Sequence, residues 1–339
     1  NDRIGNFRAM KKLLLGIDIG GTKCAVCLGE YGGYGLRIAA KKRFETPVGN
    51  PWKAVEKLLS LSAEILEENT APPESLSAIG VSCGGPLDSK RGVILSPPNL
   101  PGWDGIEISA AFESRFGAPC GLQNDANACA LAEWKFGAGR GLESMVFLTF
   151  GTGLGAGLIL DGKLYSGAND NAGEVGHVRL AGRGPVGYGK RGSFEGFCSG
   201  AGIAKIAREK ALERLQSGGR PALCPDASML GSLTAKGVAE AAEKGDGLAA
   251  EIYEESGEML GAGLAMIIDI LNPQAVIVGG VFSRARELLW PAAERVLRRE
   301  ALPGALDACK ILPAELGEAV GDYAALSVAQ YESDGRRAR

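Results

Sequence analysis

Two stretches of this chain follow one plan: an apolar strand, a glycine-rich turn and a second apolar strand. The first is LLLGIDIGGTKCAVCL, Leu13 to Leu28, and the second is MVFLTFGTGLGAGLIL, Met145 to Leu160. Apolar runs this continuous belong to strands buried on both faces. Glycine supplies the backbone freedom of the turns between them. A device that occurs twice in one chain is most economically an internal repeat. The expectation is two similar α/β lobes, each offering a Gly-Thr turn to a cleft between them.

Asp18 interrupts the first strand, and an ionised Asp in an apolar run is costly unless it is solvated, paired or beside a metal. Two readings stand at this point. Asp18 caps a hairpin turn, or it lies near a cation at a phosphate-binding turn. Gly20-Gly21 reads as the turn and Cys24 to Leu28 as the return strand.

Beyond the repeat, helical spacing predicts a helix over Trp52 to Asn69, ending before Pro72-Pro73. A strand follows over Leu76 to Ser82. Pro86 to Gly105, with SPPNLPGWDG, reads as a loop without regular structure. Ile108 to Phe116 is a helix, Gly121 to Gln123 a strand, and Ala126 to Phe136 a helix with Asp125 as its N-cap. Gln216 to Ser232 is an irregular insertion. Ser256 to Leu271 is a buried helix, Ala275 to Val278 a strand, and Gly279-Gly280 a turn into a helix around Arg284 to Arg298. Asp322 to Tyr331 closes the chain as a helix.

Glycine numbers 51 of 339 residues, about twice its usual share, which points to many tight turns. A net charge of −3, with no basic block before the terminal RRAR, gives nucleic-acid binding no electrostatic support. No run reaches the about 18 apolar residues of a membrane span, no signal peptide is legible, and no helix-turn-helix precedes the first strand. Eight cysteines without a framework pattern fit a reduced, cytoplasmic protein. Residues 1–9 read as an expression remnant ahead of Met10.

Three motifs mislead. Gly80-Val81-Ser82-Cys83-Gly84 has the form of a nucleophile elbow, but a Pro-rich loop follows where the elbow needs a helix. Gly151 to Ala156 has the form of a dinucleotide fingerprint, but an apolar strand and an Asp-Gly turn follow instead of a helix. Cys24 and Cys27 are three apart on a strand and point to opposite faces, so they are core. What remains is phosphoryl transfer, with the two turns offering N–H groups and hydroxyls to a nucleotide's phosphates.

The set IDIGGTK (17–23), NDANACALAE (124–133), FGTGLGAG (150–157), AGEVGH (172–177) and IVGGV (277–281) resembles the ROK family of bacterial sugar kinases. The motifs run in family order from about residue 13 to 325. The resemblance implies two actin-like ATPase (ribonuclease H-like) lobes around a central cleft, spanning 11–124 and 125–321, with the closing helix 322–332 packing back on the first. It implies Asp125 as catalytic base, and Asn124, Glu174, His177, Glu195, Gly84 and Asn99 as sugar-binding residues. Asp18, Gly20, Gly21, Thr22, Lys23, Gly151, Thr152, Gly153, Gly279 and Gly280 would hold ATP, with Asp18 reaching Mg²⁺ through water. Gly21 and Gly153 are expected at positive φ. A carboxylate of ordinary pKa suffices for a base whose proton transfer is late.

The expected activity is ATP-dependent phosphorylation of a hexose primary hydroxyl, with glucose first and N-acetylmannosamine, allose or fructose as alternatives. A sugar-binding regulator of the same family is the remote alternative. The partners expected are sugar and ATP, without nucleic acid or membrane, in a homodimer. One departure stands out. Where most of the family has C-x-C-G-x-x-G-C-x-E, which completes a zinc site with the GH histidine, this chain has VGYGKRGSFE, Val186 to Glu195. Thiolates cannot be replaced by Val or Tyr, so no zinc is expected. Val186 and Tyr188 are expected to pack in place of thiolates and metal, and Ser193 to add a hydrogen bond.

Overall fold

A computed structural model describes residues 12–33 and 35–337. The reading of residues 1–9 lies outside them. In chain order the strands and helices are β1 (Lys12–Ile19), β2 (Lys23–Gly32), β3 (Gly35–Glu45), α1 (Pro51–Glu68), β4 (Leu76–Cys83), β5 (Leu87–Asp88), β6 (Val93–Leu95), β7 (Asp104–Ile106), α2 (Ile108–Phe116), β8 (Cys120–Asn124) and α3 (Asp125–Phe136). They continue with β9 (Met145–Phe150), β10 (Leu154–Leu160), β11 (Lys163–Leu164), β12 (Val186–Gly187), β13 (Lys190–Arg191), α4 (Phe194–Phe197), α5 (Gly200–Gln216), α6 (Ala235–Glu243) and α7 (Gly247–Leu271). The last are β14 (Ala275–Val278), α8 (Val281–Glu300), α9 (Pro303–Ala308), β15 (Lys310–Pro313) and α10 (Val320–Arg337).

The chain divides into two compact units. The first holds the chain to Arg140, Ser166–Asn171 and the stretch from Glu318; the second holds Gly141–Tyr165 and Ala172–Gly317. This moves the expected boundary from after Asn124 to after Arg140, because α3 packs on α10 within the first unit.

The first unit is built on a five-stranded sheet of order β3-β2-β1-β4-β8. β1, β2 and β3 form an antiparallel meander, and β4 and β8 continue it in parallel. Alternation along β1 assigns its faces. Leu15, Ile17 and Ile19 enter the core with α1 and α2, whereas Leu14 packs with Leu326 and Ala329 of α10. Cys24 joins the first cluster and Cys27 the second, so the pair does lie on opposite faces.

Glycine opens the sheet to α10. Gly16, Gly80 and Gly121 stand side by side on β1, β4 and β8. A Cβ at Gly80 would lie 2.2 Å from both the Ala325 carbonyl oxygen and the Ala329 nitrogen, so the helix backbone rests on the strand. The glycine of the false nucleophile elbow is therefore a packing residue, and not every glycine marks a turn.

The second unit repeats the topology with order β11-β10-β9-β14-β15: again an antiparallel three-strand meander followed by two parallel strands. The internal repeat is thus a repeat of sheets. Behind this sheet α7 packs on α8. Gly257 and Gly261 bring the two backbones close, a Cβ at Gly261 falling 2.3 Å from the Ala293 carbonyl oxygen.

Three expectations change. Pro86 to Gly105 holds the small antiparallel sheet β5-β6-β7, because Val93 and Ile94 are buried and pair despite the flanking Pro and Gly. The helix expected from Ser256 starts at Gly247, capped by Asp246. α5 and α6 had no expected counterpart, and the irregular insertion lies between them apart from a 3₁₀ stretch over Ala227–Ser232. Among the described residues no helix is long and apolar enough to cross a membrane.

Candidate active site

In the first unit, Asp18 sits one residue from the end of β1, paired across the sheet with Ala25 and Ser82. Its carboxylate faces the start of α10, where a Cβ on Gly321 would lie 3.9 Å from Oδ2. Burial pushes its pKa from 3.8 to about 6, with Asp322 and Asp125 adding to the rise and Lys41 opposing it. Asp322 is itself ion-paired with Lys41. Three carboxyls therefore share one region with one cation close by. Among the described residues, no group of three or more His, Cys, Asp or Glu could hold a metal unaided.

The connection after β1 is Gly20 to Thr22, closed by Gly20 N–H donating to the Lys23 carbonyl at 3.1 Å. The Thr46 hydroxyl donates to the Gly20 carbonyl at 2.6 Å and fixes the turn from β3's end. Gly21 does not have positive φ. Its constraint is close approach, since a Cβ there would lie 2.5 Å from the Asn99 carbonyl oxygen. At Gly84 a Cβ would lie 3.2 Å from the Asn99 Oδ1. The structure thus brings Gly21, Gly84 and Asn99 together.

α3 starts at the end of β8. Asn124, not Asp125, is its N-cap: Asn124 Oδ1 accepts the Asn127 N–H at 2.7 Å. The expected cap is one residue off because Asp125 already has helical geometry at the first position. Asp125 Oδ1 accepts the Ala126 N–H at 2.8 Å. Asp125 is exposed to solvent, yet desolvation by the protein crowded around it raises its pKa above the usual aspartate value, against the lowering by the N–H groups of Ala126 and of Asp125 itself. An ordinary pKa would suffice for a late proton transfer, and the structure holds a raised one. The rise moves the group toward the range in which a base works near neutrality.

In the second unit, Gly151 to Gly153 connect β9 to β10, with Gly151 N–H donating to the Gly153 carbonyl at 3.0 Å. The start of α5 holds this turn: Gly200 N–H donates to the Gly151 carbonyl at 2.8 Å, and Ser199 caps the helix. Gly280 has φ of +67°, and a Cβ there would lie 2.0 Å from the Phe150 carbonyl oxygen, so it needs glycine on both counts. Gly279 N–H donates to the Leu148 carbonyl at 2.9 Å. Gly153, like Gly21, lacks positive φ. A Cβ there would lie 2.7 Å from Glu195 Oε2, the oxygen that accepts the Leu154 N–H at 3.1 Å.

Glu174 and His177 lie on a segment laid against β10. Ala156 N–H donates to the Gly173 carbonyl at 2.8 Å, and a Cβ at Gly173 or Gly176 would lie 2.0 Å from a β10 carbonyl oxygen. The glycines of AGEVGH therefore let the chain hug the strand while both polar side chains stay exposed. With Glu195 they gather on one side of β10.

The stretch without cysteines is a β-hairpin, β12 to β13, turning at Tyr188-Gly189. Ser193 Oγ accepts the Gly196 N–H at 3.1 Å, caps α4, and donates to the Gly187 carbonyl at 3.4 Å. Lys190 Nζ donates to the His177 carbonyl at 2.7 Å and Lys205 Nζ to the Val186 carbonyl at 2.6 Å. Val186 is half-buried, but Tyr188 is 72% exposed and does not pack inward as expected. A two-residue turn throws its first side chain outward. The donor set does not fit zinc: Val186 offers no ligand, Tyr188 points to solvent, and Ser193 is used in capping.

Sequence reasoning missed Asp322, Lys41 and Thr46 as parts of the first unit's site, and Ser199-Gly200 as the support of the second turn. A Ser before a Gly-rich helix start was the only local signal among them.

The chain matches the sequence profile described as the ROK family over residues 14–332. It is 33% identical over 322 residues to a glucokinase from Thermotoga maritima, covering 94% of this chain and 98% of that protein. The crystal structure of a ROK family glucokinase from Streptomyces griseus in complex with glucose and AMPPNP matches with TM-score 0.70 and 30% identity, over 94% of this chain and 99% of that one. A ROK family transcriptional regulator, described as a homologue of the E. coli MLC protein, matches with TM-score 0.81 and 25% identity, over 96% of this chain and 80% of that one. The fold is the actin-like ATPase fold, with its paired α/β units.

Proposed function

The chain belongs to the ROK family, and from that premise we propose that it is an ATP-dependent sugar kinase acting on the primary hydroxyl of a hexose, glucose first. The observation that carries the reading is Asp125: a solvent-accessible carboxyl at the first position of α3, whose pKa is raised by desolvation from the protein around it. Such a group accepts a proton near neutral pH more readily than a fully solvated aspartate. The likeness to glucokinases across nearly the whole chain supports the sugar and nucleotide assignments.

In the proposed reaction Asp125 holds the sugar's primary hydroxyl and takes its proton as that oxygen attacks the γ-phosphorus, while the bond from the γ-phosphorus to the β–γ bridging oxygen breaks and ADP leaves. Asn124, with Oδ1 engaged by the helix, donates its amide N–H to a neighbouring hydroxyl, as does Asn99, and the carboxylates of Glu174 and Glu195 accept from further hydroxyls. His177 adds a ring nitrogen. With the N–H groups of Gly20, Gly151 and Gly279 engaged within the protein, the turns at Gly20–Lys23, Gly151–Gly153 and Gly279-Gly280 would offer the phosphates their other backbone N–H groups. Mg²⁺ fits beside Asp18, whose charge is repelled by Asp322 and Asp125; when bound it supplies charge neutralisation of the phosphates. With no three-ligand cluster among the described residues, it would rest on Asp18, water and phosphate oxygens. Phosphoryl transfer depends chiefly on positioning and charge, so these fixed groups account for most of the proposed catalysis.

We extend the proposal to a zinc-free enzyme working as a cytoplasmic homodimer. A non-catalytic, sugar-responsive regulator is the second reading, favoured by the likeness to the ROK transcriptional regulator. ADP release measured over a panel of hexoses separates the two. The kinase reading expects sugar-dependent release, and the regulator reading expects sugar binding without it.

A further inference from the structure

The hairpin from Val186 to Arg191 turns through a conformation that its first turn residue disfavours. Tyr188 has φ of +42° and Gly189 φ of +75°. Both central residues of this two-residue turn are left-handed, a geometry that Asn-Gly or Gly-Gly meets easily and an aromatic residue does not. Nothing in the core compensates, because the Tyr188 side chain is 72% exposed. Strain that persists without a packing reason points to use.

The surroundings hold the strained residue in place. Lys190 and Lys205 tie the two strands to the His177 carbonyl and to α5. A Cβ at Gly187 would lie 2.6 Å from the Gly196 nitrogen, so the hairpin rests directly on α4. What this clamp presents is a ring against His177: the two centroids lie 5.9 Å apart at 72°, an edge contact. His177 is itself exposed, and the edge-on Tyr188 pair is a ring contact on its imidazole.

We propose that Tyr188 is a positioning residue that holds the His177 imidazole in the orientation that meets a sugar hydroxyl. The inference rests on the sugar-kinase reading for its purpose, but the ring contact can be tested apart from it. His177 is the chain's one histidine. In protein without a histidine tag, its ring C–H signals are therefore identified in an NMR spectrum without further assignment.

Three variants decide the matter: Tyr188→Gly, Tyr188→Phe and His177→Ala. The Gly variant takes the left-handed conformation freely, so its thermal midpoint should equal or exceed that of the wild type. Its imidazole signals should move as the ring current is lost, while Tyr188→Phe keeps them. Glucose affinity by calorimetry, and KM for glucose, should weaken about fivefold in Tyr188→Gly, roughly 1 kcal/mol, with kcat and KM for ATP nearly unchanged. Tyr188→Phe should restore wild-type values, and Tyr188→Gly should add little in a His177→Ala background. Unmoved imidazole signals, a Phe variant as impaired as the Gly variant, or additive losses in the double variant would overturn the inference. If the wild type turns over no hexose, the kinase reading fails, and the NMR and calorimetric arms still decide the role of Tyr188.

Discussion

Asp125 and Asp18 have chemistry that the sequence could name but not tune. Their positions in NDANA and IDIGG were legible, as was the cost of an acid in an apolar strand. The rise in both pKa values was not, because it comes from desolvation by the surrounding protein and, for Asp18, from Asp322 at the far end of the chain. Replacing Asp125 by Asn removes the base and little else. Turnover should fall by about 10²–10⁴-fold, with glucose affinity kept within about tenfold. Calorimetry and steady-state rates check both, and a variant retaining wild-type turnover would contradict the role. Protonation of either carboxyl should also depress activity. The acid limb of kcat/KM is therefore expected to begin near pH 6, well above the ordinary aspartate range. For stability the sign is opposite. The folded chain keeps a proton on Asp18 that the unfolded chain releases between about pH 4 and 6, so stability falls as pH rises through that window. Asp18→Asn should thus raise the thermal midpoint at pH 8, by on the order of 1–3 kcal/mol in stability, and not at pH 4, while weakening MgATP binding. An unchanged midpoint at pH 8 would argue against the buried charge.

Among the elements, strands and long amphipathic helices were legible because periodicity and turn residues agree in them. β1, β4, β9, β14 and the apolar half of α7 are examples. α5 and α6 were not read at all, and the other pieces that escaped depend on partners distant in sequence. β5, β6 and β7 are each at most three residues long, and only pairing makes them strands. The roles of individual glycines escaped for the same reason. Gly16, Gly80 and Gly121 make room for α10, whose approach no local pattern announces. Gly80→Ala should cost about 1–3 kcal/mol or more in chemical unfolding, because its contacts are backbone atoms that cannot turn aside. Gly153→Ala should behave differently, as its neighbour is the end of a flexible carboxylate. Folding should be nearly unaffected, while Glu195 is pushed off the Leu154 N–H and both nucleotide and sugar affinity fall. Equal losses of stability in the two variants would contradict this distinction. The hairpin from Val186 to Arg191 shows the limit of reasoning by replacement. The missing thiolates were plain in the sequence, but lysine-to-carbonyl bonds and a serine cap hold the loop, not an apolar plug. Activity should accordingly survive a zinc-selective chelator in excess Mg²⁺, and elemental analysis should find no stoichiometric zinc. Activity lost to the chelator and restored by zinc would refute this.

At the scale of the whole molecule, the repeat seen in two apolar stretches is a repeat of entire sheets, each an antiparallel meander extended by two parallel strands. That much followed from the sequence because the repeated turn is the most conspicuous part of each unit. The assignment of α3 to the first unit did not, since it rests on the packing of α3 against α10. Membership of the ROK family narrows function to sugar kinases and their regulatory relatives. The hydroxyl geometry that separates one hexose from another is set by side-chain placement around the bound sugar, which no motif encodes. The central claim is that this chain transfers phosphate from ATP to a hexose with Asp125 as base. Its most direct test is ADP release by the wild type and Asp125→Asn over a panel of glucose, N-acetylmannosamine, allose and fructose. The wild type is expected to give strong, sugar-dependent release with at least one of them, glucose first, and Asp125→Asn to lose it. Sugar binding by calorimetry with no sugar-dependent ADP release from the wild type would contradict it.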